Sequence, residues 1–157
     1  MHENVESVIE ELIYGMIMKM KSLKPNELKL IDKICNEIKS NHSIKMETKR
    51  KLEESFGERL QQALTIIEKG AVKRYIFKPS GRVIWEVKGK TSSYQIMTRT
   101  YFCNCDDYYF RVMSSKKQLC YHIIAQKIAF ALGKFENEEL FDGDYSKITS
   151  RWKKSVR

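Results

Sequence analysis

The chain has 157 residues, 42% of them hydrophobic and 11% aromatic, which supplies a core and excludes an intrinsically disordered chain. With two prolines and no Ser/Gly-rich stretch there is no sign of a long linker, so the length fits one domain or one domain with a helical arm. The formal net charge of +9 favours an anionic partner, nucleic acid first.

The amino terminus is acidic (Glu3, Glu6, Glu10, Glu11), unlike the basic start of a secretory signal. The apolar run Leu12 to Met18 is too short to span a bilayer. The expectation is an intracellular, soluble protein with no membrane partner, in which thiols stay reduced and cysteines serve as metal ligands or core residues. Val5, Val8, Ile9, Leu12, Ile13, Met16, Ile17 and Met20 fall at three-and-four spacing and predict an amphipathic helix over 3–21. Met16, Met18 and Met20 lie close together on it, and methionine suits adaptable packing surfaces. That stripe reads either as a core helix packed on the helix predicted at 47–69 or as a docking surface.

After Pro25, Asn26 caps a second helix with the apolar face Leu30, Ile31, Ile34, Cys35 and Ile38. Asn41-His42-Ser43 marks a turn. A third helix is predicted over 47–69 from Leu52, Phe56, Leu60, Ala63, Leu64 and Ile67, with Gly57 tolerated inside it and Gly70 ending it. The pattern then turns from helical to alternating. Val72–Lys78, Arg82–Lys88 and Ser93–Thr100, separated by Pro79-Ser80-Gly81 and Gly89-Lys90-Thr91, predict an antiparallel meander. A last helix runs from Tyr121 to Leu132 and closes at Gly133, and residues 135–157 read as loop with one short helix. The fold class expected is α+β, divided into a helical region 1–70, a zinc-finger module 71–134 and a tail 135–157.

Cys103-Asn104-Cys105 is followed, after fourteen residues, by Cys120-Tyr121-His122. Two matched pairs of sulfur and imidazole ligands suit one structural Zn2+, which takes four such ligands tetrahedrally. One pair would come from a loop after a strand and the other from a helix start, where unsatisfied N–H groups favour thiolate. The ion would staple a hairpin to a helix. Cys35, alone on an apolar stripe, reads as a small core residue.

Charge is concentrated around that motif. Residues 71–134 carry 12 Lys/Arg against three acidic residues, whereas 1–70 and 135–157 each balance to zero. Candidate nucleic-acid contacts are Lys73, Arg74, Arg82, Lys88, Arg99, Arg111, Lys116 and Lys117, with Tyr75, Trp85, Tyr108, Tyr109 or Phe110 able to stack on bases. A solvated basic face, with most of those aromatics in the core, is the other reading of the same residues.

Cys-x-Cys followed by Cys-x-His resembles the SWIM zinc finger. Ala125, three residues after His122, extends the match to the form found in the SWIM-domain subunit of Shu complexes. Residues 68–75, Pro79-Ser80-Gly81-Arg82 and Ile84-Trp85-Glu86-Val87 are similar to the strand region before that finger, and the likeness spans about residues 50–134. The resemblance implies a nuclear adaptor that partners a RecA-family recombinase paralogue in homologous recombination, with DNA reached through the complex. Four ligands leave no open metal position, and no phosphate-binding glycine loop or Gly-x-Ser-x-Gly elbow is present, so the chain is expected not to be an enzyme. The competing reading is a direct DNA-binding zinc module that uses the basic 71–134 surface.

Overall fold

A computed structural model describes residues 5–22, 26–114 and 116–153. Pro25 and the side chains of Ile17, Met18 and Met20, singled out in the sequence, lie outside the described residues. Four helices come first: α1 (Val5–Ser22), α2 (Glu27–Asn41), α3 (Met46–Phe56) and α4 (Glu58–Glu68). Strands β1 (Val72–Lys78), β2 (Val83–Lys88), β3 (Ser93–Met97) and β4 (Phe102–Cys103) follow, then α5 (Tyr121–Leu132), β5 (Glu136–Phe141) and α6 (Tyr145–Lys153). The α+β class and the helices-then-sheet order are those expected from the sequence.

Asn26 caps α2 as expected, its Oδ1 accepting from the Lys29 N–H at 3.2 Å. The single helix expected over 47–69 is instead two. Gly57 sits between α3 and α4 at φ 54° and ψ −126°, a backbone state open to glycine, so it breaks the helix rather than riding inside it.

The strands form one five-stranded sheet in the order β4-β3-β2-β1-β5. The predicted meander is present, with β1–β2 and β2–β3 antiparallel, and β3–β4 adds a further antiparallel pair. The short helix expected within 135–157 is present as α6, but the loop before it is corrected: β5 pairs parallel with β1, from Lys73 opposite Glu136 to Lys78 opposite Phe141. Glu-Asn-Glu-Glu gives no apolar alternation, because β5 is an edge strand held mainly by backbone pairing and by the Lys73–Glu138 and Lys78–Glu139 ion pairs.

Side-chain alternation divides the sheet between two cores. Val72, Trp85, Val87 and Ile96 face α2, α4 and α5, where Ile31, Leu60, Ile123 and Ile128 are fully or almost fully buried. Tyr75, Phe77 and Ile84 point the other way, onto Ile148 and Trp152 of α6. Among the described residues, α1 contributes no side chain to either core. Val5, Val8, Ile9, Leu12, Ile13 and Met16 are all exposed, between 40% and 69%, so the described part of the stripe does not pack on 47–69 as a core helix would.

Candidate metal centre

The β3–β4 hairpin sets the first two sulfurs. Cys103 ends β4 opposite Ile96, so it lies in the strand itself rather than in the loop beyond it. Asn104, between the two cysteines, is fixed from both sides. Its Oδ1 accepts from the Gln95 N–H at 2.9 Å, and its Nδ2 donates to the Trp152 carbonyl at 3.4 Å. Cys105 follows and accepts from the Tyr108 N–H at 3.2 Å. Cys120 occupies the N-cap position of α5 and His122 its first turn, as the spacing predicts. The four ligand atoms all lie within 4.8 Å of one another, and all four residues are buried.

Two observations show that these residues fit a metal. Neither ring nitrogen of His122 has a hydrogen-bond partner, although the residue is 1% exposed, and a buried imidazole without partners costs free energy that coordination recovers. The sulfurs, moreover, cannot ionise together unaided. Hydrogen bonds from Cys103 and Cys120 drive the Cys105 thiol far toward thiolate. Its contact with Cys105 and Cys120, then burial, pushes Cys103 up, and burial pushes Cys120 up. Burial and mutual repulsion oppose full ionisation of three thiols at this spacing, whereas a divalent cation among them stabilises all three as thiolates. Three sulfurs, one imidazole and full burial suit one structural Zn2+.

A third group supports the site, and the sequence reading missed it. Glu27 at the start of α2 and Arg59 at the start of α4 pair through two hydrogen bonds, 2.7 and 3.0 Å, with both residues buried. Glu27 Oε2 also accepts from the N–H groups of Gln118 and Leu119 at 3.1 and 3.2 Å, and Arg59 Nη1 donates to the Leu119 carbonyl at 2.7 Å. The ion pair thus grips the backbone immediately before Cys120. The available signal was Arg59 itself, a charged residue on the stripe that runs through Phe56, Leu60 and Ala63.

Gly89 meets the site from the other side. A Cβ there would lie 2.7 Å from Tyr94 Cε2 and 3.2 Å from His122 Nε2, so the absence of a side chain lets the β2–β3 turn close onto the imidazole. Tyr94 and Tyr121 flank the ring, with centroids 4.5 and 4.0 Å from it. Ala125, on the core-facing side of the finger helix, is fully buried, which agrees with its reading as a close-packing position.

The candidate nucleic-acid residues do not form one patch of equivalent cations. Lys73 pairs with Glu138, and Arg74 donates to Asn137 Oδ1 at 2.7 Å. Arg82 stacks 4.1 Å from the Tyr145 ring, and Arg111 pairs with Asp107 at 3.0 Å. Lys88, Arg99 and Lys116 are exposed, and Lys117 is half-buried. Of the aromatics, Tyr75 and Trp85 are core residues and Tyr108 packs against the main core, whereas Tyr109 and Phe110 are each 67% exposed. They belong to a π-helical turn over Tyr108–Val112 that the sequence pattern did not announce. Cys35 is half-buried against the main core, and burial pushes its thiol up to about 11, which leaves it outside the cluster as expected.

A β-hairpin and a helix start that contribute two ligands each to a buried Cys3His set define a zinc finger of the hairpin–helix type. No protein-family model and no solved structure matches the chain. Two curated proteins are similar to it. One is a "Zinc finger SWIM domain-containing protein 7 homolog" of Dictyostelium discoideum, 28% identical over 134 residues that cover 83% of this chain and 86% of that protein. The other is "Zinc finger SWIM domain-containing protein 7" of Danio rerio, 30% identical over 98 residues, covering 61% of this chain and 69% of that protein. The chain belongs to this family of SWIM-type zinc finger proteins.

Proposed function

We propose that the chain is a non-catalytic zinc-binding adaptor: a nuclear subunit of a Shu-type complex that partners a RecA-family recombinase paralogue and promotes homologous-recombination repair. The observation that carries the reading is the extended motif, Cys103 and Cys105, then Cys120, His122 and Ala125, assembled around one finger helix in which Ala125 is fully buried. Four protein ligands fill a tetrahedral zinc, so in this reading the ion shapes a surface rather than activating water. Any nucleotide hydrolysis belongs to the partner. The finger helix and hairpin are the first docking surface and α1 the second, because α1 holds six exposed apolar residues outside both cores. Affinity purification from native extract at mild salt tests the reading. The zinc-loaded chain should recover a RecA-fold protein, and the Cys105→Ala variant should not. A stable monomer that recovers no such protein overturns it.

The exposed Tyr109–Phe110 pair, beside Arg111 and Lys116, favours a second reading in which the finger contacts DNA directly. Two accessible ring faces beside cations are what sequence-tolerant single-strand binding uses. In that case the isolated chain binds single-stranded DNA, and Tyr109→Ala with Phe110→Ala weakens binding without loss of zinc.

A further inference from the structure

A groove of about 500 Å³ opens between α2, the finger helix α5 and the sheet. Three cations line it: Lys39, Arg74 and Lys127. Its single carboxylate, Asp32, is already engaged, accepting from Lys127 Nζ at 2.6 Å and from the Tyr101 hydroxyl at 2.8 Å. The groove is therefore net positive. Its cations are also held in place by rings. The Arg74 guanidinium lies 5.0 Å from the Phe135 ring and 5.7 Å from Trp85, and Lys39 Nζ lies 4.5 Å over Phe130. Val83 and Phe130, 50% and 39% exposed, give it apolar walls.

One amide there is left open to the groove. Gln126 is 3% exposed and lines the groove, yet its side chain makes no hydrogen bond among the described residues. An amide carries both donors and an acceptor, and so does each of its neighbours in the lining, Asn36 and Thr98, in amide or hydroxyl form. Phosphates only accept, so a nucleic-acid backbone would meet the donors of these groups and leave their acceptors to water. A polypeptide presents N–H and C=O together and answers both.

We propose that this groove seats an acidic, apolar segment of a protein partner, with carboxylates against Lys39 and Arg74 and an apolar side chain on Phe130 and Val83. The proposal rests on the adaptor reading and locates that docking on the Gln126–Ala131 face of α5. Carboxylates on fixed cations would set register and specificity, and the apolar contact would exclude water around them.

The test is site-directed photocrosslinking of the full zinc-loaded chain in native extract, with benzoylphenylalanine in place of Phe130. The expected product is a crosslink to a protein, mapped by mass spectrometry to a segment that carries Asp or Glu beside apolar residues. Adding Lys39→Glu and Arg74→Glu should lower its yield about tenfold with zinc content unchanged. A crosslink to nucleic acid, to a segment without carboxylates, or at a yield indifferent to the reversal overturns the proposal, as does no crosslink above that from an exposed position such as Met46. The parallel purification separates the two ideas. Recovery of a RecA-fold partner without a crosslink removes the groove and leaves the adaptor. An acidic segment from a protein of another fold leaves the groove and removes the recombinase partner.

Discussion

Arg59 and Glu27, 32 residues apart in sequence, meet in a buried bidentate pair whose oxygens and nitrogens also hold the backbone of Gln118 and Leu119, one residue before the zinc ligand Cys120. Helices α2 and α4 thus hold the second half of the metal site in place. Replacing Arg59 by Met leaves a buried carboxylate uncompensated, and about 3–5 kcal/mol of stability should be lost. The double variant Glu27→Leu, Arg59→Met should recover much of that stability but not the zinc retention, because the 118–119 backbone still lacks its partners. Thermal melts together with a chelator-competition rate distinguish the two effects.

The same pair sets an acid limit. Burial alone would raise the Glu27 carboxyl, but the hydrogen bonds and charge of Arg59, with the N–H groups of Gln118 and Leu119, hold it net below its ordinary 4.5. A depressed carboxyl contributes stability that is complete above its unfolded value and is lost as pH falls through the folded one. Glu27→Gln should therefore be less stable than the parent near neutrality. The gap should close as pH drops below about 4.5, as followed by melts across a pH series.

Metal and thiols should separate cleanly. One zinc per chain is expected, and Cys105→Ala should lose it and destabilise residues 100–134, since metal binding energy is folding energy. Cys35→Ala removes a half-buried thiol outside the cluster and should cost about 1 kcal/mol with zinc unchanged. Elemental analysis of freshly reduced protein decides the matter. Full zinc content in Cys105→Ala would contradict the assignment of the site.

Gly89→Ala is the smallest change that should reach the imidazole. The new methyl sits 2.7 Å from Tyr94 Cε2, which must move, and 3.2 Å from His122 Nε2, which a bound ion keeps from moving. Faster zinc release to a chelator, with little change in helix content, is the expected result.

Direct DNA contact makes a salt prediction. Lys73 and Arg74 are engaged with Glu138 and Asn137, so the sharper probe is reversal of the exposed Arg99 and Lys116. Arg99→Glu with Lys116→Glu should lower the slope of log affinity against log salt by about 2 if both meet phosphates. Affinity that is flat with salt in the parent chain removes the phosphate-driven mode.

Much of this was legible because it is local. The zinc ligands announce themselves by paired spacing, the finger helix by its periodicity and by Gly133, and the first three strands by alternation between turn residues. What escaped depends on partners distant in sequence. Strand β5 is four polar residues before Leu140 and Phe141, and nothing in that run says it will lie against β1. Gly57 reads from the sequence as a glycine tolerated inside a helix, and only its φ of 54° shows the break. The Glu27–Arg59 clamp spans two helices and a loop, a relation no window of sequence contains. The stripe on α1 was visible, but whether it is covered depends on which surface meets it, and among the described residues neither core does.

The place of β5 sets an order of events during synthesis. Strand β1 is interior to the sheet, yet its parallel neighbour lies about sixty residues downstream, with Arg74 and Asn137 separated by 63 positions. As the chain leaves the ribosome, β1 to β4 and then α5 emerge with every zinc ligand already present, while one edge of β1 still shows unpaired N–H and C=O groups. Zinc can be captured before the sheet is closed. In that interval the half-built sheet is a template for any passing strand, and metal loading that tightens the finger early narrows the time for which the open edge is on offer.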